Sequence, residues 1–298
     1  MNRSFSPGVW LQQIRAPFLI LSVVLVLIGT AAAAHDGAAR TVHALLLMAG
    51  VVLAHIAVNL FNELSDFQTG IDERTDRTPF SGGSGMMQTG KTSPRAVRAA
   101  AYGSMGIAAL IGLFFCFTSG WLIAVFMLFG GVAVRFYTTH LARILLGELF
   151  AGLALGSLVV LGVYYSLTGY LTPEIIFVSI PPGILTALLL FLNEFPDREA
   201  DFRGGRRHLV IKFGRKKSAV LYAAVLGSVY LFIGLAPLAA SAPRLILIGL
   251  GTLPVAAAAA ATALRKHADH QAMIPALGMN VIVVLLTDLL IAAAYYFS

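Results

Sequence analysis

Charge is scarce in this chain. Asp, Glu, Lys and Arg supply 12% of its 298 residues against 58% apolar, about half the charged share of an ordinary soluble domain. So few charges cannot cover the surface of a globular protein of this length, which excludes a soluble enzyme; the mean hydropathy of +0.84 agrees. The same shortage excludes a disordered chain, a coiled coil and a nucleic-acid-binding domain with a broad basic face. Cysteine is nearly absent. Cys116, alone in an apolar run, allows neither an internal disulfide nor a cysteine metal cluster and reads as a small buried side chain. Period-2 alternation is missing, so a transmembrane barrel is excluded. The start, MNRSFSPGVWLQQIRAP, lacks the ordered parts of a signal peptide, and the chain is expected to be unprocessed.

What the sequence has instead is long apolar runs. A bilayer-crossing helix needs about 20 apolar residues, and such runs cover 16–34, 43–61, 144–167, 173–193, 218–240, 244–264 and 274–297. The uncharged stretch 99–134 is too long for one span and is expected to split at Thr118-Ser119-Gly120. The prediction is an all-α polytopic membrane protein, nine transmembrane helices in a single bundle forming one domain over 1–298. With the N-terminus cytoplasmic, 19 of the 21 basic residues face the cytoplasm, and only Arg40 and Arg244 face outward, as the positive-inside bias requires. The net charge of +7 then reports orientation in a membrane, not nucleic acid.

Two inward segments, 62–95 and 193–217, are long and polar and hold 9 of the 14 acids; long connections in a compact bundle usually carry function. The first opens Asn62-Glu63-Leu64-Ser65-Asp66 and the second Asn193-Glu194-Phe195-Pro196-Asp197. Residues four apart share a helix face, so Asn62 pairs with Asp66, and Asn193, Asp197 and Asp201 form a stripe. Gly70 allows a bend returning Asp72 and Asp76 toward the same point, and Pro196 is expected to kink its helix. Oxygen ligands of this type suit magnesium, which prefers a few carboxylates plus substrate phosphates. Lys91, Arg143, Arg198, Arg206 and Arg207, with Arg77 less central, are the candidate diphosphate partners.

On NELSDFQTGID (62–72), NEFPDREAD (193–201) with GGRRHLVIKFGR (204–215), and RFYTTHLARILLGELFAGLALGSLVVLGVYY (135–165), the chain resembles the UbiA superfamily of intramembrane prenyltransferases over essentially its whole length. The family's first motif is usually Asn-Asp-x-x-Asp with a third Asp four residues on. Here Glu63 replaces the first Asp, and the third acid is delayed to Asp72. That spacing, followed by SGGSG (81–85), is more similar to the menaquinone-branch 1,4-dihydroxy-2-naphthoate polyprenyltransferases than to the 4-hydroxybenzoate enzymes.

The resemblance implies a UbiA-like fold in a bacterial or archaeal inner membrane, with the active site facing the cytoplasm. It implies Mg2+ held by Asn62, Asp66, Asp72, Asn193, Asp197 and Asp201 on the diphosphate of a polyprenyl donor. Asp66 and Asp197 are then essential to catalysis, Tyr137 shields an allylic cation, and an aromatic acceptor attacks that cation beside membrane lipid. Arg15 and Asn59 are candidate acceptor contacts, with a surface anchor and an interhelical hydrogen bond as their respective alternatives. Glu148 is expected to reach the basic residues of the second loop. Gly82, Gly83 and Gly85 suit an anion nest or a flexible lid. Asp288, an acid inside the last span, has no assigned role. Other acceptors (4-hydroxybenzoate, a tetrapyrrole, a glycerol lipid), phosphoribosyl transfer and secondary transport are the competing readings. Transport would place acids near the midplane in repeat-related halves.

Overall fold

A computed structural model describes residues 6–71 and 78–298. Among these residues eight helices are long and apolar enough to cross a membrane. A short helix, α1 (Pro7–Gln13), precedes them. The spans are α2 (Ala16–His35), α3 (Thr41–Thr69), α4 (Pro94–Ser119), α6 (Gly147–Thr168), α7 (Pro173–Arg203), α8 (Leu209–Ala239), α9 (Arg244–Lys266) and α10 (His270–Tyr296). Between α4 and α6 lies α5 (Leu122–Phe136), apolar but only 15 residues long. The expected fourth span is therefore the shortest. Its hairpin with α4 turns at Gly120, whose φ of 129° no L side chain adopts easily.

The two segments expected as loops are in good part helical. α3 runs on past Asn62 to Thr69, and α7 passes through Pro196 to Arg203. Both acid-bearing stripes thus stand on rigid helix rather than on flexible chain. The interruption in α7 falls earlier, at Ser179, where a six-residue helix ends and the next begins. α8 is broken at Gly214, with φ 76°.

Lipid tails are as apolar as leucine, so burial of hydrophobic surface does not drive these helices together; close van der Waals packing does. Small residues supply it. A Cβ on Gly29 of α2 would lie 2.7 Å from the Val160 carbonyl oxygen of α6, and one on Gly156 would lie 2.6 Å from the Gly183 Cα of α7. α10 packs against α2, α7 and α9, closing the bundle around Leu25, Ile28, Leu185, Ile233, Val283 and Ile291. Phe117, Trp121, Leu110, Leu128 and Leu238 face outward, as a lipid-facing surface requires. We predict that Gly156→Ala, which forces two backbones apart, destabilises the detergent-solubilised protein by about 1–3 kcal/mol. Gly103→Ala, which meets nothing within 4 Å, should leave the thermal midpoint unchanged. Equal midpoints for the two variants would refute the packing argument.

Asp288 is fully buried in α10, and neither carboxyl oxygen has a hydrogen-bond partner. The other described acids stand toward helix ends or in the connections, which argues against the midplane acids a transporter would need.

Candidate active site

The site forms where the extended ends of α3 and α7 meet two short connections, 137–146 and 204–208. These connections are tied by backbone: the Arg207 N–H donates to Ala142 O at 2.8 Å, and Leu145 N–H donates to Arg207 O at 3.2 Å. Arg206 is fixed on that platform and points between the helix ends. One terminal nitrogen donates to Asn62 Oδ1 at 3.0 Å and also to Asp66; the other donates to Asp201 Oδ1 at 2.8 Å. Thr138 donates to the same Asn62 oxygen at 3.2 Å. Burial alone would lower the Arg206 pKa, but Asp201 and Asp66 outweigh it and hold the guanidinium above its ordinary value.

Asn62, Asp66, Asp201 and Arg206 line a polar cavity of about 100 Å³, together with Asn193, Glu194, Asp197, His208, Tyr137 and Arg15. Four carboxylates face two guanidiniums there, so the fully ionised wall carries excess negative charge. Asp197 Oδ1 and Arg206 Nε are buried with no hydrogen-bond partner, while Glu194 Oε2 and the His208 ring nitrogens are held by loose contacts of 3.3 and 3.4 Å among Glu194, His208 and Asp201. Unpaired polar atoms are expensive to bury, and such under-satisfied groups around one cavity mark a place built for a bound polar group. The oxygen donors fit a hard divalent cation, and the orphaned guanidinium nitrogen fits an anion.

Through Arg15, Asn62, Tyr137, Leu190 and Asn193 the polar cavity meets an apolar chamber of about 410 Å³. Phe18, Phe115, Phe126, Met127 and Phe150 help line it. Tyr137 stands at the junction. Burial, reinforced by Glu194, Glu148 and Asp201 against Arg206, pushes its phenol well above the ordinary range, so it presents a neutral ring. Arg15, in left-handed backbone at φ 54°, reaches Phe80 O at 3.5 Å and lies over the Phe18 ring. Asn59 lines the chamber and also donates to Ile14 O at 3.0 Å, so its interhelical bond is real.

Not every candidate reaches this place. Asp72, Asp76 and Arg77 lie outside the described residues. Lys91 and Arg143 are exposed and line neither cavity. Arg198 pairs with Glu199 and with Val210 O, while Arg207 stacks over Phe202 and caps carbonyls. Of the five basic candidates the structure brings only Arg206 to the carboxylates. Among the described residues Glu148 pairs with no Lys or Arg; it accepts the Leu209 N–H at 2.7 Å and faces Glu194 and His208.

Glu63 turns away from the cavity. At 1% exposure it accepts the Ser84 N–H at 2.8 Å, the Ser84 hydroxyl at 2.5 Å and the Gln13 amide at 3.2 Å, and Gln13 in turn takes the Thr92 hydroxyl at 2.6 Å. This carboxylate clamps α1 and the glycine-rich segment to α3. Gly82 and Gly83, both at positive φ, turn that segment so that Phe80 and Ser81 join the cavity wall. Substituting Glu63 with Gln replaces two acceptor oxygens by one. Expected is a several-fold rise in donor KM with little change in kcat, restored toward wild type by Glu63→Asp; a kcat collapse at unchanged KM would instead place Glu63 at the reacting atoms.

His208 and Glu194 are wall residues that sequence reasoning left out of the site, and Thr138, which holds Asn62, was left out as well. His208 carried one usable signal, a histidine two residues beyond Arg206 in the acid-rich segment.

Comparison with known proteins gives this geometry a context. The chain is 33% identical over 250 residues to the 1,4-dihydroxy-2-naphthoate octaprenyltransferase of Bacillus subtilis (strain 168), covering 82% of this chain and 79% of the relative. It is 28% identical to the enzyme of the same name from Mycobacterium tuberculosis, covering 97% of each. In fold it is similar to a UbiA homolog from Aeropyrum pernix K1, with TM-score 0.73 and 18% identity over 93% of this chain and 96% of that one. It is also similar to a UbiA homolog from Archaeoglobus fulgidus solved with DMAPP and Mg2+, with TM-score 0.67 and 15% identity over 96% and 98%. The UbiA prenyltransferase family model matches residues 22–282, and the chain therefore belongs to that family of membrane-embedded prenyl-transferring enzymes.

Proposed function

We propose that this enzyme transfers a polyprenyl group from its diphosphate to an aromatic acceptor, 1,4-dihydroxy-2-naphthoate, in menaquinone biosynthesis. The observation that carries the reading is the junction itself: a carboxylate-lined polar cavity with the unpartnered Asp197 Oδ1 shares the walls Arg15, Asn62, Tyr137, Leu190 and Asn193 with an apolar chamber. A diphosphate headed by a long hydrocarbon has that polarity. The names of the relatives favour the naphthoate. The side on which basic residues concentrate favours a cytoplasmic mouth.

Asn62, Asp66, Asn193, Asp197 and Asp201, with Asp72, would hold magnesium, which when bound neutralises charge building on the leaving diphosphate. Arg206, always cationic, supplies a fixed guanidinium to the same oxygens. The chamber walls exclude water while the carbon–oxygen bond breaks. The neutral Tyr137 ring, which lines both cavities, would face the positive charge that develops on the allylic carbon. Arg15 stands at the mouth shared by both cavities, placed to take an acceptor carboxylate, with Asn59 beside it. The acceptor ring attacks and rearomatises by losing a proton or carbon dioxide.

Purified protein given Mg2+, polyprenyl diphosphates of several lengths and a panel of aromatic acids should yield one product whose mass fixes both substrates. A product from 4-hydroxybenzoate but none from the naphthoate would overturn the acceptor assignment, and no Mg2+-dependent lipid product from any pair would overturn the reaction.

A further inference from the structure

Beside the Asn/Asp stripes, and distinct from them, lies a second set of ligands. Glu148 of α6, Glu194 of α7 and His208 of the 204–208 turn each offer one atom, and these three atoms lie within 4.8 Å of one another. All three side chains are buried: Glu148 is 5% exposed, Glu194 7% and His208 2%. Glu194 Oε2 and His208 Nδ1 have no hydrogen-bond partner and face each other at 3.3 Å.

We propose that Glu148, Glu194 and His208 form a binding site for a transition-metal ion of the Zn2+ type, separate from the magnesium ligands. An imidazole with two carboxylates suits zinc and its neighbours, whereas magnesium takes an all-oxygen shell. The surroundings fit in two further respects. His208 Nε2 faces Asp201 Oδ2 at 3.4 Å, the carboxylate–imidazole arrangement that orients a metal-bound histidine through its far nitrogen. The Leu209 N–H fixes Glu148 through Oε1, and the same carboxylate also meets Glu194. Two carboxylates this close and this buried otherwise repel each other. Arg206 is committed through both terminal nitrogens to Asn62, Asp66 and Asp201. The site adjoins Asp201, so an ion there would stiffen one of the diphosphate-facing carboxylates.

The test needs no substrate and is independent of the proposed reaction. Detergent-purified protein is stripped with a chelator, exposed to Zn2+ in excess Mg2+, gel-filtered and analysed for metal by mass spectrometry. Wild type should retain one equivalent. His208→Ala and Glu148→Gln should each lose at least nine-tenths of it, and Asp66→Asn should keep it. No retained zinc in wild type, equal retention in the His208 and Glu148 variants, or loss in Asp66→Asn as well would overturn the site. If those variants do not fold, wild type loaded with Mn2+ decides: pulsed electron paramagnetic resonance should show coupling to an imidazole nitrogen. His208 is the one histidine lining the polar cavity among the described residues, so absence of that coupling overturns the proposal.

Discussion

Asp197→Ala should lower kcat by about three orders of magnitude, roughly 4 kcal/mol of barrier, while leaving folding intact. Asp66→Ala should lose activity to a similar degree but also lose stability. The difference between the two is the informative part. Asp197 Oδ1 is buried with no partner, so removing the carboxylate gives up a contact with Ser81 but relieves repulsion from Asp201, four residues on in the same helix. Asp66 is bonded to Arg206, and its removal strips a buried guanidinium of one of its two counter-charges. The Asp197 variant should therefore elute monodisperse with a thermal midpoint at or above wild type, and without turnover. Appreciable activity in both variants would refute the metal-ligand assignment, since neither carboxylate would then be needed by the leaving group.

The features legible in the sequence were those governed by period and by composition. Helical spacing put Asn62 with Asp66, and Asn193 with Asp197 and Asp201, on common faces, and both stripes line the cavity on continuous helix. The apolar runs located the spans to within a few residues in most cases. What failed was the ranking of equals. Arg198, Arg206 and Arg207 share one polar segment and one chemistry; Arg206 alone enters because the 204–208 turn docks on the Ala142 carbonyl, a tertiary contact with no local signal. Glu63 shows the converse. Its place inside the first acidic motif gave no hint of its structural role, because its partners Ser84 and Gln13 lie 21 and 50 residues away. The short helix α1 and the hydrogen bond from Gln13 likewise depend on where that segment folds back, not on its own pattern.

Arg206→Ala should be the most destabilising single change in the site, by about 3–5 kcal/mol, because it leaves Asp66 and Asp201 buried without their shared cation. Activity should fall with it, since Asn62, Asp66 and Asp201 lose the group that aligns them and the diphosphate loses a fixed positive charge. Arg206→Lys separates these effects. A lysine keeps the charge but is a single point donor and cannot bridge three acceptors from two helices, so stability should recover in large part while donor affinity recovers less. Magnesium provides the second reading of the same physics. A ligand that binds only the folded protein raises its stability in proportion to the logarithm of concentration over Kd. A divalent ion at the proposed site would compete with Arg206 for the Asp66 and Asp201 oxygens; in Arg206→Ala it would meet both carboxylates without that competitor. Mg2+ should therefore raise the thermal midpoint of the alanine variant more than that of wild type, with the lysine variant between them. If Arg206→Ala melts at the wild-type temperature and responds to Mg2+ no more than wild type does, the guanidinium is not what holds the two acid-bearing helices together, and the convergence must rest on the Asn62–Thr138 contact and the backbone platform alone.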